Sequence, residues 1–310
     1  MLKQLTAVAA TFAVILACSP EGKQPEEGSS SAGVIKIRDI ELNYVVEGSG
    51  TPLLVIGSAT YYPRTFSRRL RDHFKLYFVD LPHFAPSAPS TEPSEITLDT
   101  YAEDTDLIRR FFGFEEVAVL GHSIHGTMAL EYARRYPQHV SHVVVIGSPP
   151  VGLEKMFEAG AQYWESHADA ERKRVLRDNW DRLGEDSLAK LSPGDVFVVS
   201  YIANGPMYWH DATYDASPLW EGTYANADVW DRIFELYNQY DLSQGPGQIT
   251  TPVFVAMGPY DYVVPHVLWD DQLDKLQNVS YYLFEHSGHT PQLEEPELFD
   301  RKLIEWFEGT

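Results

Sequence analysis

Three side chains in this sequence have the types that nucleophilic catalysis by a serine requires. Ser123 lies in "VLGHSIHG", Asp261 in "GPYDYVVP" and His289 in "SGHTPQLEEPELF". A serine hydroxyl becomes reactive when an imidazole accepts its proton, and a carboxylate fixes the tautomer of that imidazole and stabilises its charged form. The three residues therefore predict acyl transfer in which Ser123 attacks a carbonyl, His289 carries the proton and Asp261 orients His289.

Bounded apolar runs precede these residues and predict the strands that position them. Runs that are apolar throughout, rather than alternating, are typical of strands buried on both faces. Such runs lie at 52–57, 75–81, 115–121, 140–147, 251–258 and 279–285. Because the carboxyl ends of parallel strands meet at one edge of a sheet, Ser123, Asp261 and His289 are expected to converge there.

Helical patterns alternate with the strands. Helices are predicted around 64–72 and at 98–112, 124–136, 264–277 and 295–307. Ahead of them, "VIKI" and "IELNYVVEG" predict an antiparallel hairpin. Strands that alternate with helices predict an α/β fold with a doubly wound, mostly parallel sheet.

The alternation is absent between residues 151 and 248. This stretch is rich in tyrosines and acidic residues, and its tryptophans are Trp164, Trp180, Trp209, Trp220 and Trp230. It predicts an inserted, mainly helical lid at 151–248, so that 33–150 and 249–310 form the core that carries the sheet.

The first 32 residues have the composition of an export signal followed by a tether. "MLKQLTAVAATFAVILACSP" combines Lys3, an apolar run and small residues before Cys18, the one cysteine of the chain. "ILAC" resembles a bacterial lipobox, in which this cysteine is lipidated. We therefore predict a signal peptide at 1–17, a lipidated Cys18 with a flexible polar tether at 18–32, and an exported lipoprotein facing the periplasm or the cell surface. A plain signal peptide with an incidental cysteine is the alternative.

Composition narrows the classes of partner. The 310 residues carry a formal net charge of −21, which argues against nucleic acid or an anionic membrane surface as a partner. Membrane contact is therefore expected through the lipid anchor only. A single cysteine excludes a disulfide framework, and no cysteine and histidine spacing resembles a zinc site. No metal or cofactor is expected, and the ligand is predicted to be a small molecule or a short peptide.

The region from Val34 to Phe307 resembles the α/β-hydrolase superfamily. The resemblance lies in "GHSIHG", "GPYDYVVP", "SGHTPQLEEPELF" and "MALEYARRYPQHVSHVVVIGSPP", and the last segment is similar to that of proline iminopeptidase-like and related lidded hydrolases. The chain order Ser, Asp, His is the order that this topology gives. The resemblance implies a catalytic triad of Ser123, Asp261 and His289. A serine at 123 argues against the resembling haloalkane and epoxide hydrolases, which use an aspartate there.

Two positions depart from the pattern of the family. The family favours a small residue two places after the nucleophile, where this chain has His125. Either the turn relaxes around Gly126, or the imidazole turns into the cavity and contacts substrate, or it is a packed residue that only shapes the turn; we favour the second. The family also carries histidine where this chain has Ile56, but the oxyanion donors are backbone amides, and we expect those of Ser58 and Ile124 to serve.

Further residues are candidates for the substrate pocket. His83, on the loop after the strand at 75–81, either lines the pocket or lies on the surface. The lid segment "NGPMYWHDATYDASPLWEG" contains Trp209 and Asp211 among other aromatics and acids. Such a mixture either closes an apolar chamber and holds an ammonium group, or forms lid core with a solvated acidic rim.

Three functions remain open from the sequence. The leading one is a serine hydrolase that cleaves a small ester or amide through an acyl-enzyme intermediate. A proline iminopeptidase-like aminopeptidase is a narrower alternative, favoured by the lid acids. A non-catalytic, lipid-anchored binding protein on a hydrolase scaffold is an alternative of another class, suggested by His125 and Ile56.

Overall fold

The computed structural model describes residues 30–86, 96–238, 240–244 and 248–310. The predicted signal peptide at 1–17, the predicted lipidation site Cys18 and the tether as far as residue 29 lie outside the described residues. The first strand begins at Ser31, two residues before the predicted start of the core, because Ser31 and Ala32 already pair with Val46 and Val45.

Eight strands form a single sheet. They are β1 (Ser31–Ile37), β2 (Ile40–Glu47), β3 (Thr51–Gly57), β4 (Phe74–Asp80), β5 (Val117–His122), β6 (Val140–Ile146), β7 (Val253–Met257) and β8 (Val279–Leu283). Their order across the sheet is β1-β2-β4-β3-β5-β6-β7-β8. β1 and β2 form an antiparallel hairpin, β2 also pairs antiparallel with β4, and the pairs from β4 to β8 are parallel. The predicted hairpin and the doubly wound, mostly parallel sheet are confirmed.

Helices flank the sheet and form the segment inserted between β6 and β7. They are α1 (Leu70–His73), α2 (Leu98–Phe111), α3 (Ile124–Arg135), α4 (Leu153–His167), α5 (Ala170–Leu183), α6 (Glu185–Leu188), α7 (Pro193–Ala203), α8 (Gly205–Tyr208), α9 (Ser217–Trp220), α10 (Ala227–Tyr237), α11 (Pro291–Glu294) and α12 (Pro296–Gly309). Single turns of 3₁₀ helix lie at Tyr62–Arg64, Pro82–Phe84, Pro137–His139, Leu242–Gln244, His266–Trp269 and Leu273–Lys275.

Burial of the central strands explains their composition. Every residue of β5 and β7 is buried, as expected for parallel strands covered on both faces. Phe299, Leu303 and Trp306 share one face of α12 and are buried, and the Trp306 ring lies 5.4 Å from the Phe254 ring of β7. These contacts hold β7 in place, and the candidate residue Asp261 follows its carboxyl end.

The predicted helix around 64–72 is wrong. The segment contains only the 3₁₀ turn at 62–64 and the single turn α1. The guanidinium group of Arg71 donates hydrogen bonds to the carbonyl oxygens of Pro63, Phe66 and Ser67 at 2.6 to 2.8 Å. These carbonyl groups are bound by a side chain instead of by the backbone N–H groups of a continuous helix.

The predicted helix at 264–277 is also wrong. Two 3₁₀ turns at 266–269 and 273–275 replace it. Trp269 is fully buried and its indole N–H donates to the carbonyl oxygen of Ser148 at 2.9 Å, which anchors the first turn to the core. Asp274 lies in the last turn of the predicted helix, where an acidic side chain opposes the helix dipole.

The segment between β6 and β7 is mainly helical, from α4 to α10, and its ends meet where Val151 bridges Asp241. Arg172 of α5 is buried and donates to the carbonyl oxygens of Pro206, Trp209 and His210 at 2.6 to 2.8 Å. It thereby fixes the segment from α8 to His210 that faces the core. A membrane-spanning helix does not occur among the described residues, whose helices are too short or too polar.

Candidate active site

Ser123 occupies a tight turn between β5 and α3. Its backbone has φ +58° and ψ −135°, a conformation that residues other than glycine rarely adopt. Gly121 lies against the carbonyl group of His125, and a Cβ atom at 121 would approach the His125 oxygen well within 3.0 Å. The close approach across the turn is therefore between Gly121 and the backbone of His125, and the turn has not relaxed. The backbone nitrogen of Gly126 also lies within 3.0 Å of the Cβ position at 121, and a Cβ atom at 126 would overlap the Ser148 side chain.

The His125 side chain lies in the wall of a cavity beside Ser123 and is buried. Its Nδ1 lies 2.8 Å from the Tyr62 hydroxyl oxygen, and its Nε2 lies 2.7 Å from Nε2 of His83. The ring thus lies at the edge of the cavity with its nitrogens turned toward the protein. Both nitrogens, however, have partners within the protein, so the described contacts support a structural role rather than a polar contact to substrate.

Asp261 and His289 lie at the ends of β7 and β8 and are in contact. Nδ1 of His289 lies 2.6 Å from Oδ2 of Asp261, and both side chains are buried. The other carboxylate oxygen accepts from the N–H groups of Val263 and Val264 at 3.0 and 2.8 Å. With the carboxylate fixed, Nδ1 of His289 donates to it, which leaves Nε2 as the nitrogen that can accept a proton.

The backbone of His289 is held from two sides. Its N–H donates to the carbonyl oxygen of Tyr208, at the end of α8, at 2.6 Å. Its own carbonyl oxygen lies 2.9 Å from Nε2 of His122, the last residue of β5. A carbonyl oxygen only accepts, so His122 carries its proton on Nε2. The imidazole of His289 is therefore fixed relative to the Ser123 turn and to the inserted segment.

Ser123 and His289 both line a cavity of about 270 Å³. Its other lining residues are mostly aromatic or aliphatic and include Tyr61, Tyr62, Phe197, Tyr201, Tyr208, Trp220 and Trp230. Among the described residues that line it, none is Asp, Glu, Lys or Arg. The space next to the Ser123 hydroxyl is thus shaped for an uncharged, largely apolar group.

The two amides expected to bind an oxyanion differ in their position. Ile124 lines the cavity and begins α3, and the first N–H groups of a helix have no partner within it. Ser58 is buried in the adjoining loop and is not one of the residues that line the described cavity. That loop is ordered, since the N–H of Ala59 donates to Asp80 at 2.7 Å and the Ser58 hydroxyl accepts from the N–H of Tyr61.

The remaining candidates lie apart from Ser123. His83 is fully buried behind His125, against the Trp230 ring. Trp209 and Asp211 line a second hollow of about 230 Å³. Asp211 accepts from the N–H and hydroxyl groups of Thr213 and so closes an exposed turn. The structure therefore brings Ser123, Asp261, His289, Ile124 and His125 together and places Trp209 and Asp211 elsewhere.

Several residues around the site are not predicted from the sequence. Tyr62 lies in a 3₁₀ turn and Tyr208 ends α8, and neither belongs to a recognisable motif. Glu294 lies five residues after His289, and this short spacing is a signal that could have drawn attention to it. No group of three His, Cys, Asp or Glu side chains that could hold a metal ion occurs in the part of the chain that the structure describes.

Glu294 connects the loop of His289 with the inserted segment. Its carboxylate accepts from the N–H groups of Gly288 and Thr290, on either side of His289, at 2.9 and 3.1 Å. It also accepts from the N–H of His210 at 2.7 Å. Burial raises the pKa of Glu294 to about 7 in spite of these three donors.

The raised pKa of Glu294 predicts a pH-dependent contribution to stability. Between the ordinary value of 4.5 and about 7 the folded protein keeps a proton that the unfolded chain has released. The contribution of Glu294 to the free energy of unfolding is therefore largest at low pH. It decreases by about 3 kcal/mol as the pH rises through that window. We expect the free energy of unfolding of Glu294→Gln, relative to that of the wild type, to rise by about 3 kcal/mol from pH 4.5 to pH 7.5. Urea unfolding at the two pH values measures it.

The matched control is Glu297→Gln, on the exposed side of α12. Its unfolding free energy should follow that of the wild type at both pH values. A difference between Glu294→Gln and the wild type that stays constant with pH would contradict the prediction.

The family model, a related sequence and a related structure all indicate the same family. Residues 55–296 match a family model described as the alpha/beta hydrolase fold. The chain is 34% identical over 279 residues to the AB hydrolase superfamily protein YclE of Bacillus subtilis, covering 89% of this chain and 99% of that protein. It is 23% identical to the proline iminopeptidase PfmaB of Pestalotiopsis fici, covering 76% and 82%. The structure of an alpha/beta fold family hydrolase from Bacillus anthracis superposes with a TM-score of 0.67 at 20% identity, covering 88% and 97%.

Proposed function

The chain belongs to the alpha/beta hydrolase fold family, and from this premise we propose that it is a serine hydrolase that cleaves a small, uncharged ester or amide through an acyl intermediate on Ser123. One observation carries the proposal. Ser123, on its strained turn, and His289, bonded through Nδ1 to Asp261, line the same cavity. A hydroxyl, a base and an orienting carboxylate are the parts that acyl transfer needs.

The first half of the reaction forms the acyl intermediate. The Ser123 oxygen attacks the substrate carbonyl while Nε2 of His289 accepts the hydroxyl proton. Asp261 holds Nδ1–H and stabilises the imidazolium that results. The N–H of Ile124, at the start of α3 in the cavity wall, stabilises the negative charge on the carbonyl oxygen, and such a donor contributes about 3 kcal/mol. His289 then protonates the leaving alcohol or amine.

The second half releases the acid. Water enters in place of the leaving group and gives its proton to Nε2 of His289 as its oxygen attacks the acyl carbonyl. The same amide of Ile124 stabilises the second tetrahedral intermediate. Its collapse returns the proton from His289 to the Ser123 oxygen, so the enzyme regains its starting state and the acid product leaves.

The lining of the cavity favours an uncharged substrate over a peptide with a free amino terminus. An ammonium group bound close to Ser123 needs a carboxylate or several acceptors to replace its water. Asp211 belongs to the second hollow, and Asp215 accepts from the N–H of Ser217 on an exposed turn. Rings alone, such as those of Trp220 and Trp230, leave such a charge without a partner ion.

The aminopeptidase is the second candidate, supported by the 23% identity to a protein named proline iminopeptidase. A panel of p-nitrophenyl acetate, butyrate and octanoate beside the p-nitroanilides of proline and alanine separates the two. We expect the esters to be hydrolysed, and the anilides at least about a hundredfold more slowly in kcat/KM because a desolvated ammonium group is costly.

Two other results of the panel would change the conclusion. Cleavage confined to the anilides would exclude the esterase and favour the aminopeptidase. The absence of any turnover, together with the absence of labelling by a fluorophosphonate, would favour a binding protein on a hydrolase scaffold.

A further inference from the structure

Two buried histidines outside the proposed triad lie side by side at the Ser123 turn. His83 belongs to the 3₁₀ turn after β4, and His125 is the second residue of α3. Their Nε2 atoms are 2.7 Å apart and their ring planes differ by 9°. This short separation is that of a hydrogen bond between two imidazoles.

The bond requires one Nε2 to donate and the other to accept, so at least one ring is neutral. Burial lowers the pKa of His83 well below its ordinary value and that of His125 to about 4. Both rings are therefore uncharged at neutral pH. A neutral imidazole has one donor and one acceptor nitrogen, so the partners of the two Nδ1 atoms decide which Nε2 donates.

The surroundings of Nδ1 of His125 give the direction. This atom lies 3.0 Å from the carbonyl oxygen of His122 as well as 2.8 Å from the Tyr62 hydroxyl. A carbonyl oxygen only accepts and a hydroxyl can accept as well as donate, so a proton on Nδ1 of His125 satisfies both contacts. Nε2 of His125 then accepts from Nε2–H of His83, and Nδ1 of His83 accepts from the hydroxyl of Tyr101, 3.2 Å away. Every ring nitrogen then has a complementary partner.

The carbonyl group that His125 contacts belongs to the peptide bond immediately before Ser123. The N–H of that same peptide donates to the carbonyl oxygen of Ile146 on β6 at 2.8 Å. Its orientation gives Ser123 the positive φ of the turn. A strained conformation persists only where its surroundings hold it. The His125 imidazole holds one end of this peptide and the sheet holds the other.

We propose that His83 fixes the tautomer of His125, so that Nδ1–H of His125 holds the His122–Ser123 peptide and keeps the Ser123 hydroxyl aimed at the cavity. Both histidines are positioning residues for hydrolysis, an assignment that rests on the proposed function. A small side chain at 125 would leave this carbonyl without that donor. The residue that departs from the family pattern thus supplies a donor that a small side chain lacks.

The test replaces His83 with two amides that differ in reach. The amide nitrogen of Gln lies where Nε2 of histidine lies and can donate to His125, whereas that of Asn lies at the place of Nδ1 and cannot. We expect His83→Asn to lower kcat for the p-nitrophenyl esters by about ten- to a hundredfold with little change in KM. His83→Gln should stay within about threefold of the wild type. His142→Asn, at a histidine of β6 bonded to Thr310, is the matched control and should leave both constants unchanged.

Nitrogen-15 NMR of histidine-labelled protein reads the tautomer without any reaction. In the wild type at neutral pH we expect His125 to be neutral and protonated on Nδ1, with its signal assigned by its loss in His125→Asn. In His83→Asn the signal should move toward a mixture of tautomers. These spectra are decisive for the tautomer even where a variant folds poorly, because the wild type alone shows which nitrogen carries the proton.

Several results would overturn the inference. They are protonation of His125 on Nε2 or on both nitrogens in the wild type, a folded His83→Asn variant with full kcat, and equal losses in His83→Asn and His83→Gln. A wild type that has the expected spectrum but hydrolyses no ester would contradict the proposed function and the positioning role, and would leave the tautomer established.

Discussion

Ser123→Ala is expected to lose about 10⁴- to 10⁶-fold in kcat for p-nitrophenyl ester hydrolysis. Without the hydroxyl no acyl intermediate forms, and His289 has no proton to accept from the turn. The residual rate would come from the amide of Ile124 and from binding in the cavity. The loss should appear in kcat while KM changes little, because the alanine removes an interaction that exists only along the reaction path.

Labelling with a fluorophosphonate gives an independent measurement, since the wild type should be modified and Ser123→Ala should not. Ser200→Ala is the matched control, because Ser200 lines the same cavity but belongs to the helix α7. It should keep kcat within a few-fold and should still be labelled. A Ser123→Ala protein that is labelled as fast as the wild type would place the nucleophile elsewhere.

Gly121→Val is expected to prevent folding or to cost at least about 4 kcal/mol of stability. A Cβ atom at 121 would overlap the carbonyl group of His125, and backbone cannot move aside as a flexible side chain can. The collision lies inside the turn that joins β5 to α3, so relief would displace Ser123 or the first turn of the helix. Urea unfolding measures the loss, and the yield of soluble protein does so where no folded protein remains.

Gly113→Ala separates the collision from backbone strain. Gly113 also has a positive φ, +75°, but a Cβ there would meet nothing within 4 Å. Its substitution should cost only about 1 to 2 kcal/mol. A Gly121→Val protein that is no less stable than Gly113→Ala would show that the turn opens easily, contrary to its packing.

The sheet could be predicted because its strands are apolar along their whole length. β5 and β7 have no exposed residue, and that burial leaves a plain pattern in the sequence. The segments around Arg71 and Trp269 could not be predicted in the same way. Their helical spacing is real, but hydrogen bonds of these two side chains favour turns: Arg71 donates to Pro63, eight residues away, and Trp269 to Ser148, 121 residues away.

The part of the candidate site that could be predicted consists of residues that directly follow a strand. Asp261 and His289 follow β7 and β8, so their contact follows from the order of the strands. The partner of His125 could not be predicted, because His83 is 42 residues away and lies on a loop whose course no pattern in the sequence defines. Trp209 and Asp211 were grouped with the pocket because they stand in an aromatic segment, but a turn at Asp211 carries them to the other hollow.

The contacts of residues 208–210 have a consequence for protein engineering. Tyr208 accepts from the backbone of His289, His210 donates to Glu294, and Gly288 lies so close to Tyr208 that a Cβ would overlap its oxygen. This short stretch thus supports the loop of His289, although in sequence it belongs to the inserted segment. A chimera that exchanges the insertion with that of another family member should retain 205–210 together with 286–294, and draw its new specificity from the helices α4 and α7 that line the cavity.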